Sequence, residues 1–358
     1  MNTPIGNKPS LGKVVHTLAQ NRTTNLTKTA TKPVIVVNGI GADVSNNDTN
    51  FARYKRKIIS QRIILSLIDV AKQDRNTECL KSYWNTYHCL NNIISDGNRI
   101  YGKYCKNRIC TICSGNRKAE LINKYLPVIN KWSEPYFVTL TIKSVTAKRL
   151  YAMMRAVKRG FDLIIQKYNK RHQRNKGIKL VGIKSLECNF NPIKKTYNPH
   201  FHIIVPNKDI ATILMNEWLY YCNRKGSFWA SKKAQDMRLV TNNETVLVEV
   251  IKYGSKIFTS IENKTDAKIE IPPKIYVKAL HNILKAMNGL RLFDRFGFNL
   301  PKQQKTSTTK ILSDYDTLNY DVKTMDWIDT ESELKLSNYN LPAELQNILN
   351  KNLDTVLE

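Results

Sequence analysis

Apolar residues recur with helical and strand periods along the middle of the chain. Between Leu150 and Tyr168 they follow the 3.6-residue period of one long amphipathic helix, whose apolar stripe we expect to pack in the core. Short β-branched runs bounded by turn residues predict strands instead. The same patterns predict the remaining elements: strands at 137–142, 178–188 and 200–205, helices at 57–72, 116–126, 209–222 and 274–288, and a further helix that carries Tyr253.

The order of these elements predicts an α+β fold, in which an antiparallel β-sheet has helices packed on one face and an open second face. Four segments are expected along the chain. They are a disordered N-terminal segment at 1–50 with a β-prone island at Val34–Val37, a cysteine-rich helical region at 51–131, a main α+β domain at 132–300, and an acidic tail at 301–358.

Two histidines lie two residues apart in an apolar run that reads as a strand. Because residues i and i+2 of a strand point to the same face, His200 and His202 should project together. Glu187 lies on the preceding strand-like segment, and an antiparallel hairpin would bring its carboxylate to that face. Two imidazoles and a carboxylate leave open positions on a divalent ion such as Mg²⁺ or Mn²⁺. The alternative is a pair of half-buried structural histidines.

A second group of reactive side chains lies further along the chain. Glu249, Tyr253 and Lys256 have the spacing i, i+4, i+7, so on a helix they share one face. A phenol becomes a nucleophile when a metal or a cation stabilises the phenolate, and Lys252 or Lys256 could supply that cation or hold DNA phosphates. Glu249 could act as a general base toward water. The alternative is a surface tyrosine among ordinary helix charges.

The charge balance indicates a polyanionic partner. The chain has 57 basic and 29 acidic residues, a net charge of +28, which favours nucleic acid over a basic membrane-surface protein. No long apolar span and no signal peptide are evident, so we expect a cytoplasmic protein with no membrane partner. Residues 311–358 carry ten acidic residues against three lysines and are expected to form either an exposed segment that competes with DNA or a solvated helix pair.

The cysteines cluster in a way that indicates metal binding. In a cytoplasmic protein, the spacing Cys105-x4-Cys110-x2-Cys113 is more typical of zinc than of disulfides. Cys89 is the preferred fourth ligand of this structural Zn²⁺ site and His88 the second choice. The alternative is a set of reduced thiols in a small core. Two nearby arginines, Arg108 and Arg117, suit contacts with DNA phosphates.

Three motifs in this order resemble the plasmid rolling-circle replication initiators, or Rep proteins, of the HUH endonuclease superfamily. They are Phe137-Val138-Thr139-Leu140-Thr141, Asn198-Pro199-His200-Phe201-His202 and Glu249-Val250-Ile251-Lys252-Tyr253, and the likeness covers about residues 80–300. It implies an RRM-like palm and makes 132–300 the catalytic domain. Glu249, four residues before a single tyrosine, matches the single-tyrosine type.

The resemblance implies a nicking and rejoining mechanism. Tyr253 would attack a phosphate at the plasmid origin and become linked to the 5′ end of the DNA, while an ion held by the histidines and Glu187 polarises that phosphate. Glu249 would activate water to end the cycle. The alternatives are an HUH relaxase or transposase, and a non-catalytic zinc-dependent nucleic-acid-binding protein.

Further partners follow from what the chain contains. No nucleotide-binding loop of the form G-x4-G-K-[ST] occurs in the sequence, so a host helicase is expected to act with the protein. The resemblance to Rep proteins implies a second partner, a host polymerase that extends the 3′ end. A nicking enzyme needs its site unpaired, which predicts binding to a single-stranded or hairpin segment. Trp229 and Phe228 could stack on bases there or belong to the core.

Overall fold

The computed structural model describes residues 33–38, 42–43, 47–224, 229–251, 273–301, 309–324 and 326–336. The chain divides into two compact units. The smaller unit comprises residues 1–65, 84–112 and 302–358, and the larger unit comprises residues 66–83 and 113–301. The segment boundaries at 50, 131 and 300 stay predictions.

Both units combine helices with antiparallel strands, which confirms the predicted α+β class. The helices are α1 (Asn47–Gln73), α2 (Thr77–Tyr87), α3 (Thr111–Ile129), α4 (Ala147–Gln173), α5 (Lys208–Asn223), α6 (Asn243–Ile251) and α7 (Pro273–Met287), with a 3₁₀ turn at Lys232–Ala234. The strands are β1 (Ile35–Asn38), β2 (Ala42–Asp43), β3 (Asn92–Ser95), β4 (Arg99–Gly102), β5 (Tyr136–Thr141), β6 (Gly182–Asn191), β7 (Thr196–Val205), β8 (Asp236–Leu239), β9 (Phe293–Phe296), β10 (Thr309–Leu312), β11 (Asp316–Asp321) and β12 (Asp326–Asp329). None of the described helices combines the length and the apolarity that a membrane crossing requires.

The larger unit is built on a five-stranded antiparallel sheet in the order β8-β5-β7-β6-β9. Its centre is the β6–β7 hairpin, in which nine residues of each strand pair side by side. Asn191 closes the connecting turn, because its side-chain oxygen accepts hydrogen bonds from the amides of Ile193 and Lys194. The strands and the polar turn predicted for this region are confirmed, although β6 begins at Gly182 and β7 starts four residues before His200.

One face of this sheet is covered by α4, α5 and α7. The apolar stripe predicted for α4 is buried along its whole length. Phe161 of this helix packs against Phe201 of β7, with ring centroids 4.8 Å apart, and Trp218 of α5 meets the same ring at 5.8 Å. Burial of these large rings, together with the aliphatic side chains around them, holds the helices to the sheet.

The second face also carries helices, so the prediction that helices cover one face only is wrong. Phe137, Ile183 and Ile204 project from three neighbouring strands onto this face and form a second core with side chains of α3 and α6. Apolar side chains at one end of the face require a cover, since leaving them in water would cost free energy. Further along the same strands the side chains become polar, and this part of the face holds His200 and His202.

The smaller unit contains a five-stranded sheet in the order β12-β11-β3-β4-β2 and the separate pair β1–β10. The strand predicted at Val34–Val37 is confirmed as β1, which pairs with β10. The prediction of a helix pair in the acidic segment is wrong for the part of the segment that the structure describes. That part forms β10, β11 and β12. Leu318 and Tyr320 alternate with exposed or half-buried neighbours, which is the period of a strand, and Trp327 is fully buried.

Candidate active site and cysteine cluster

The β6–β7 hairpin brings the predicted metal ligands together. Glu187 lies directly opposite His200 in the strand register, and the two histidine rings have centroids 4.8 Å apart. The carboxylate oxygens of Glu187 lie 3.6 Å from Nδ1 of His202 and 4.0 Å from Nε2 of His200. All three residues offer a ligand atom within 4.8 Å of the others. The hairpin expected from the sequence therefore gives one compact group of nitrogen and oxygen donors.

Hydrogen bonds fix the orientation of the His200 ring. Its Nδ1 lies 2.9 Å from the carbonyl oxygen of Asn198, and because a carbonyl oxygen only accepts, Nδ1 carries the proton. The side-chain amide of Asn198 donates in turn to the carbonyl of Ile142, and its oxygen accepts from the hydroxyl of Thr141. This network leaves Nε2 of His200 as the ring nitrogen with a lone pair, on the side where Glu187 lies.

Burial also keeps His200 in its ligand form. The residue is only 4% exposed, and burial, followed by the adjacent His202, lowers the pKa of its imidazole from the ordinary value. Glu187 and the backbone bond to Asn198 oppose this shift without reversing it. A lowered pKa means a neutral imidazole at neutral pH, which is the form that binds metal ions.

These residues fit a divalent cation. Nδ1 of His202 is buried and has no hydrogen-bond partner among the described residues, because the nearest Glu187 oxygen at 3.6 Å is too distant. In a histidine with a purely structural role, such a buried nitrogen would normally have a hydrogen-bond partner. The unpartnered Nδ1 of His202 therefore favours a metal-ligand role over the structural alternative. Metal–ligand bonds of about 2.0–2.2 Å place ligand atoms at most about 4.4 Å apart, close to the separations here.

Glu249 reaches the same site from a different element. A cavity of about 220 Å³ is lined by Phe137, Thr139, Glu187, Asn189, His200, His202, Asp236, Arg238 and Glu249. The helix α6 is held by Leu247, Val250 and Ile251, which are buried in the second core, and this anchoring turns Glu249 toward the cavity. The structure thus brings Glu249 to the histidines. Lys252, Tyr253 and Lys256 lie outside the described residues.

Two charged residues of the cavity were not predicted from the sequence. Asp236 and Arg238 come from β8, a short edge strand in a stretch for which the sequence patterns predict neither a helix nor a strand. The guanidinium of Arg238 lies 4.8 Å from the ring centroid of Phe137, and that ring is 5.2 Å from the ring of His202. Among the described lining residues, Arg238 is the only Lys or Arg. The alternation of β8 over four residues was too short a signal to find it.

The cysteines form a second group of candidate ligands. The sulfur atoms of Cys89, Cys105, Cys110 and Cys113 all lie within 4.8 Å of one another. Tetrahedral Zn²⁺ with bonds of about 2.3 Å separates its sulfur ligands by about 3.8 Å, so the group fits such an ion. His88, the second choice for the fourth position, instead has its Nδ1 2.9 Å from the side-chain nitrogen of Asn91.

A buried lysine lies beside this cysteine group. Nζ of Lys57 donates to the carbonyl of Cys89 at 2.7 Å and to the side-chain oxygen of Asn91 at 2.8 Å, and lies 4.4 Å from the ring centroid of Tyr320. Burial lowers the pKa of Lys57 to about 8, while nearby cysteine thiolates oppose the shift. An ammonium here would offset the negative charge that the thiolates carry when they hold a metal ion. Arg108 and Arg117 are half-buried, and their DNA contacts stay predictions.

Comparisons with known proteins find relatives that share one name. The chain is similar to "Protein rep" of Staphylococcus aureus, with 26% identity over 174 residues, which is 45% of this chain and 73% of the relative. It is 28% identical to "Protein rep" of Bacillus amyloliquefaciens over 29% of this chain and 31% of the relative, and 23% identical to that of Streptococcus pneumoniae over 42% and 47%. The chain therefore spans less than half the length of the latter two relatives. No protein-family model and no solved structure matches.

These relatives support a Rep-type protein, the class that the sequence motifs resemble.

We expect the cavity to bind Mn²⁺ through the three predicted ligands. His202→Ala or Glu187→Ala should weaken Mn²⁺ binding at least about 10-fold, because each removes one donor from a three-residue set. Electron paramagnetic resonance of free Mn²⁺ in a titration measures this directly. His172→Ala is the matched control, since His172 is exposed at the end of α4. Equal Mn²⁺ affinity in all three variants would contradict the assignment.

The cysteine group should hold about one Zn²⁺ per chain. Cys110→Ser replaces a fully buried thiol and should reduce the zinc bound after dialysis to a small fraction of that amount. Elemental analysis gives the stoichiometry, and substitution with Co²⁺ should produce thiolate charge-transfer absorption that Cys110→Ser lacks. Cys79→Ser, outside the group, should leave both readouts unchanged. Absence of zinc from the wild-type protein would instead favour a core of reduced thiols, and full zinc content in Cys110→Ser would show that Cys110 is not a ligand.

Proposed function

We propose that this protein is a plasmid replication initiator, a metal-dependent endonuclease and strand transferase that nicks one strand at an origin and later rejoins it in rolling-circle replication. The observation that carries this proposal is the shared cavity, in which Glu249 of α6 joins Glu187, His200 and His202. The Rep-named relatives and the net charge of +28 support a DNA substrate.

The nucleophile in this proposal is the phenolic oxygen of Tyr253. It attacks the phosphorus at the nick site, the bond from phosphorus to the 3′ oxygen breaks, and that oxygen leaves as a hydroxyl after gaining a proton. The 5′ phosphate then stays esterified to Tyr253, and attack by a 3′ hydroxyl reverses the step and rejoins DNA. Tyr253 follows Glu249 by four residues, so the covalent chain keeps their Cα atoms within about 14 Å.

The cavity is acidic although the chain as a whole is basic. Glu187, Asp236 and Glu249 contribute three carboxylates, against the single guanidinium of Arg238. A phosphate entering this cavity without a counter-ion would be repelled. A divalent ion such as Mg²⁺ or Mn²⁺, held by Glu187 and the histidines, would supply the missing positive charge and polarise the phosphate when bound.

Glu249 has a separate task, which is to act as a general base. Its carboxylate is half-buried at the cavity and lies on a helix that the second core anchors. It takes a proton from water as that water attacks the tyrosine-linked phosphate, which releases the 5′ end and frees Tyr253. This division of labour between a tyrosine and a glutamate is what the resemblance to single-tyrosine initiators implies.

The fold supports the same proposal. A five-stranded antiparallel sheet with both histidines on its central strand, β7, suits the HUH palm. The cysteine group would bind Zn²⁺ in a structural role, without taking part in the reaction. A host helicase and a host polymerase, acting in the cytoplasm, would open the duplex and extend the 3′ end.

We expect Tyr253→Phe to abolish covalent DNA attachment. Single-stranded oligonucleotides tiling the DNA that flanks the gene are mixed with the protein and Mn²⁺, and a protein–DNA band that survives denaturant is sought on a gel. Loss of the phenolic oxygen should reduce this band at least about 1000-fold, and EDTA should remove it in the wild type. Tyr151→Ala, an exposed tyrosine on α4, is the control. Undiminished function of Tyr253→Phe would favour the non-catalytic nucleic-acid-binding alternative.

Glu249→Ala should separate nicking from release. The first nick should proceed within about tenfold of the wild-type rate, because Tyr253 is unchanged. Hydrolysis of the covalent complex should slow about 100-fold or more, the range expected for a lost general base. Time courses of adduct formation and decay measure the two rates, with Glu244→Ala at the exposed start of α6 as control. An unchanged decay rate would reject the role of Glu249.

A further inference from the structure

A tryptophan is exposed at the edge of the catalytic sheet. Trp229 is 60% exposed, whereas Trp218, a few residues earlier, is fully buried. Exposure of this degree excludes the core role that the sequence left open for Trp229. A large apolar ring in water is costly unless a ligand covers it, which makes this residue a candidate contact.

The backbone around Trp229 is held on both sides. The carbonyl of Trp229 accepts a hydrogen bond from the amide of Lys143 at 2.7 Å. The next residue, Ala230, is bound through both its amide and its carbonyl by the side chain of Asn223. The exposed ring is therefore carried by an ordered backbone, which lowers the entropy cost of binding to it.

Burial differs sharply between Trp229 and the residue that follows it. Trp229 is 60% exposed and Ala230 is 3% exposed. Ala230 is buried in the core beneath α4, α5 and α7. The ring of Trp229 is therefore outside that core and accessible to a ligand.

Trp229 lies close to the proposed nick site along the sheet. Thr141 pairs with His200 across β5 and β7, and Lys143 follows Thr141 by two residues. Trp229 flanks Lys143 on the side of β5 away from β7. Two strand spacings of about 4.8 Å and two residues of about 3.4 Å place Trp229 about 12 Å from His200. This distance is about the length of three to four stacked bases.

Basic side chains surround this position. Lys143, Lys232 and Lys233 are all exposed, and no ion pair involves them among the described residues. An aromatic ring flanked by lysines is the combination that binds single-stranded nucleic acid, because the ring stacks on a base while the ammonium groups contact phosphates. A duplex would not offer a free base face to the ring.

We propose that Trp229 stacks on a base of the single strand that leads away from the nick site, with Lys143, Lys232 and Lys233 holding its phosphates. This contact rests on the proposed function for the presence of DNA at the cavity. It adds a strand-holding surface to a site whose other residues act on the phosphate.

The first test is equilibrium binding of fluorescein-labelled dT12, followed by anisotropy at fixed salt. Trp229→Ala should weaken binding about 5- to 150-fold, which is the range for one lost base stack. Trp229→Phe should retain most of the affinity, because a ring remains. Tyr151→Ala is the matched control, since Tyr151 is an aromatic residue of similar exposure (52%) on α4 and is not part of the proposed contact. A 12-base-pair duplex should bind Trp229→Ala and the wild type equally.

The second test locates the contact directly. Photocrosslinking to an oligonucleotide with 5-iododeoxyuridine, followed by mass spectrometry, should place the adduct on the peptide that contains Trp229. An adduct elsewhere, unchanged dT12 affinity of Trp229→Ala, or equal losses on dT12 and duplex would overturn the stacking proposal.

The outcomes for stacking and nicking are separable. If Trp229→Ala binds dT12 normally while the wild type still forms its Tyr253 adduct, stacking fails and the proposed function stands. If no Tyr253 adduct forms while Trp229→Ala loses affinity, the nicking proposal fails and Trp229 remains a contact for single-stranded DNA. Circular dichroism of each variant establishes that it is folded.

Discussion

The pairing of β6 with β7 is the constraint on which the candidate site depends. Because the register sets Glu187 opposite His200, one carboxylate meets two imidazoles without a contribution from any loop. A shift of one residue would send the Glu187 side chain to the opposite face of the sheet. The turn closed by Asn191 and the packing of Phe161 on Phe201 both stabilise this register, so the core on one face fixes the chemistry on the other.

The second core explains why Glu249 belongs to the site. Apolar side chains at one end of the histidine face hold α6 in place, and the polar end of that face remains accessible. A sheet covered fully on both faces would leave no cavity, and a sheet covered on one face only would leave α6 without an anchor. The partial cover lets a helix bring a carboxylate to a site that the strands have built.

Much of this arrangement could be predicted from the sequence because it depends on local periodicity. The stripe of α4, the hairpin around Asn191 and the shared face of His200 and His202 each follow from spacings within a few residues. Cover of the second face could not be predicted, since it requires knowing that Phe137 and Ile204 lie on neighbouring strands.

Several side chains at the two sites were not predicted, because the sequence around them shows little or no periodic pattern. Arg238 lies on a strand of only four residues. In the sequence, Lys57 looks like an ordinary basic residue of a helix, and its burial results from tertiary contacts. The strands of the acidic segment were missed because their charge dominated a weak alternation of apolar residues.

The sheet of the smaller unit has a consequence for synthesis on the ribosome. Strand β3 pairs with β11, and the side chains of Asn92 and Asn319, 227 residues apart, are hydrogen-bonded across that pair. At a synthesis rate of about 5–20 residues per second, β11 is translated about 10–45 s after β3. The strands around His200 are all made within that interval. The part of the nascent chain that carries the histidines can therefore fold while the edge of β3 is still unpaired and open to chaperones or to misassembly.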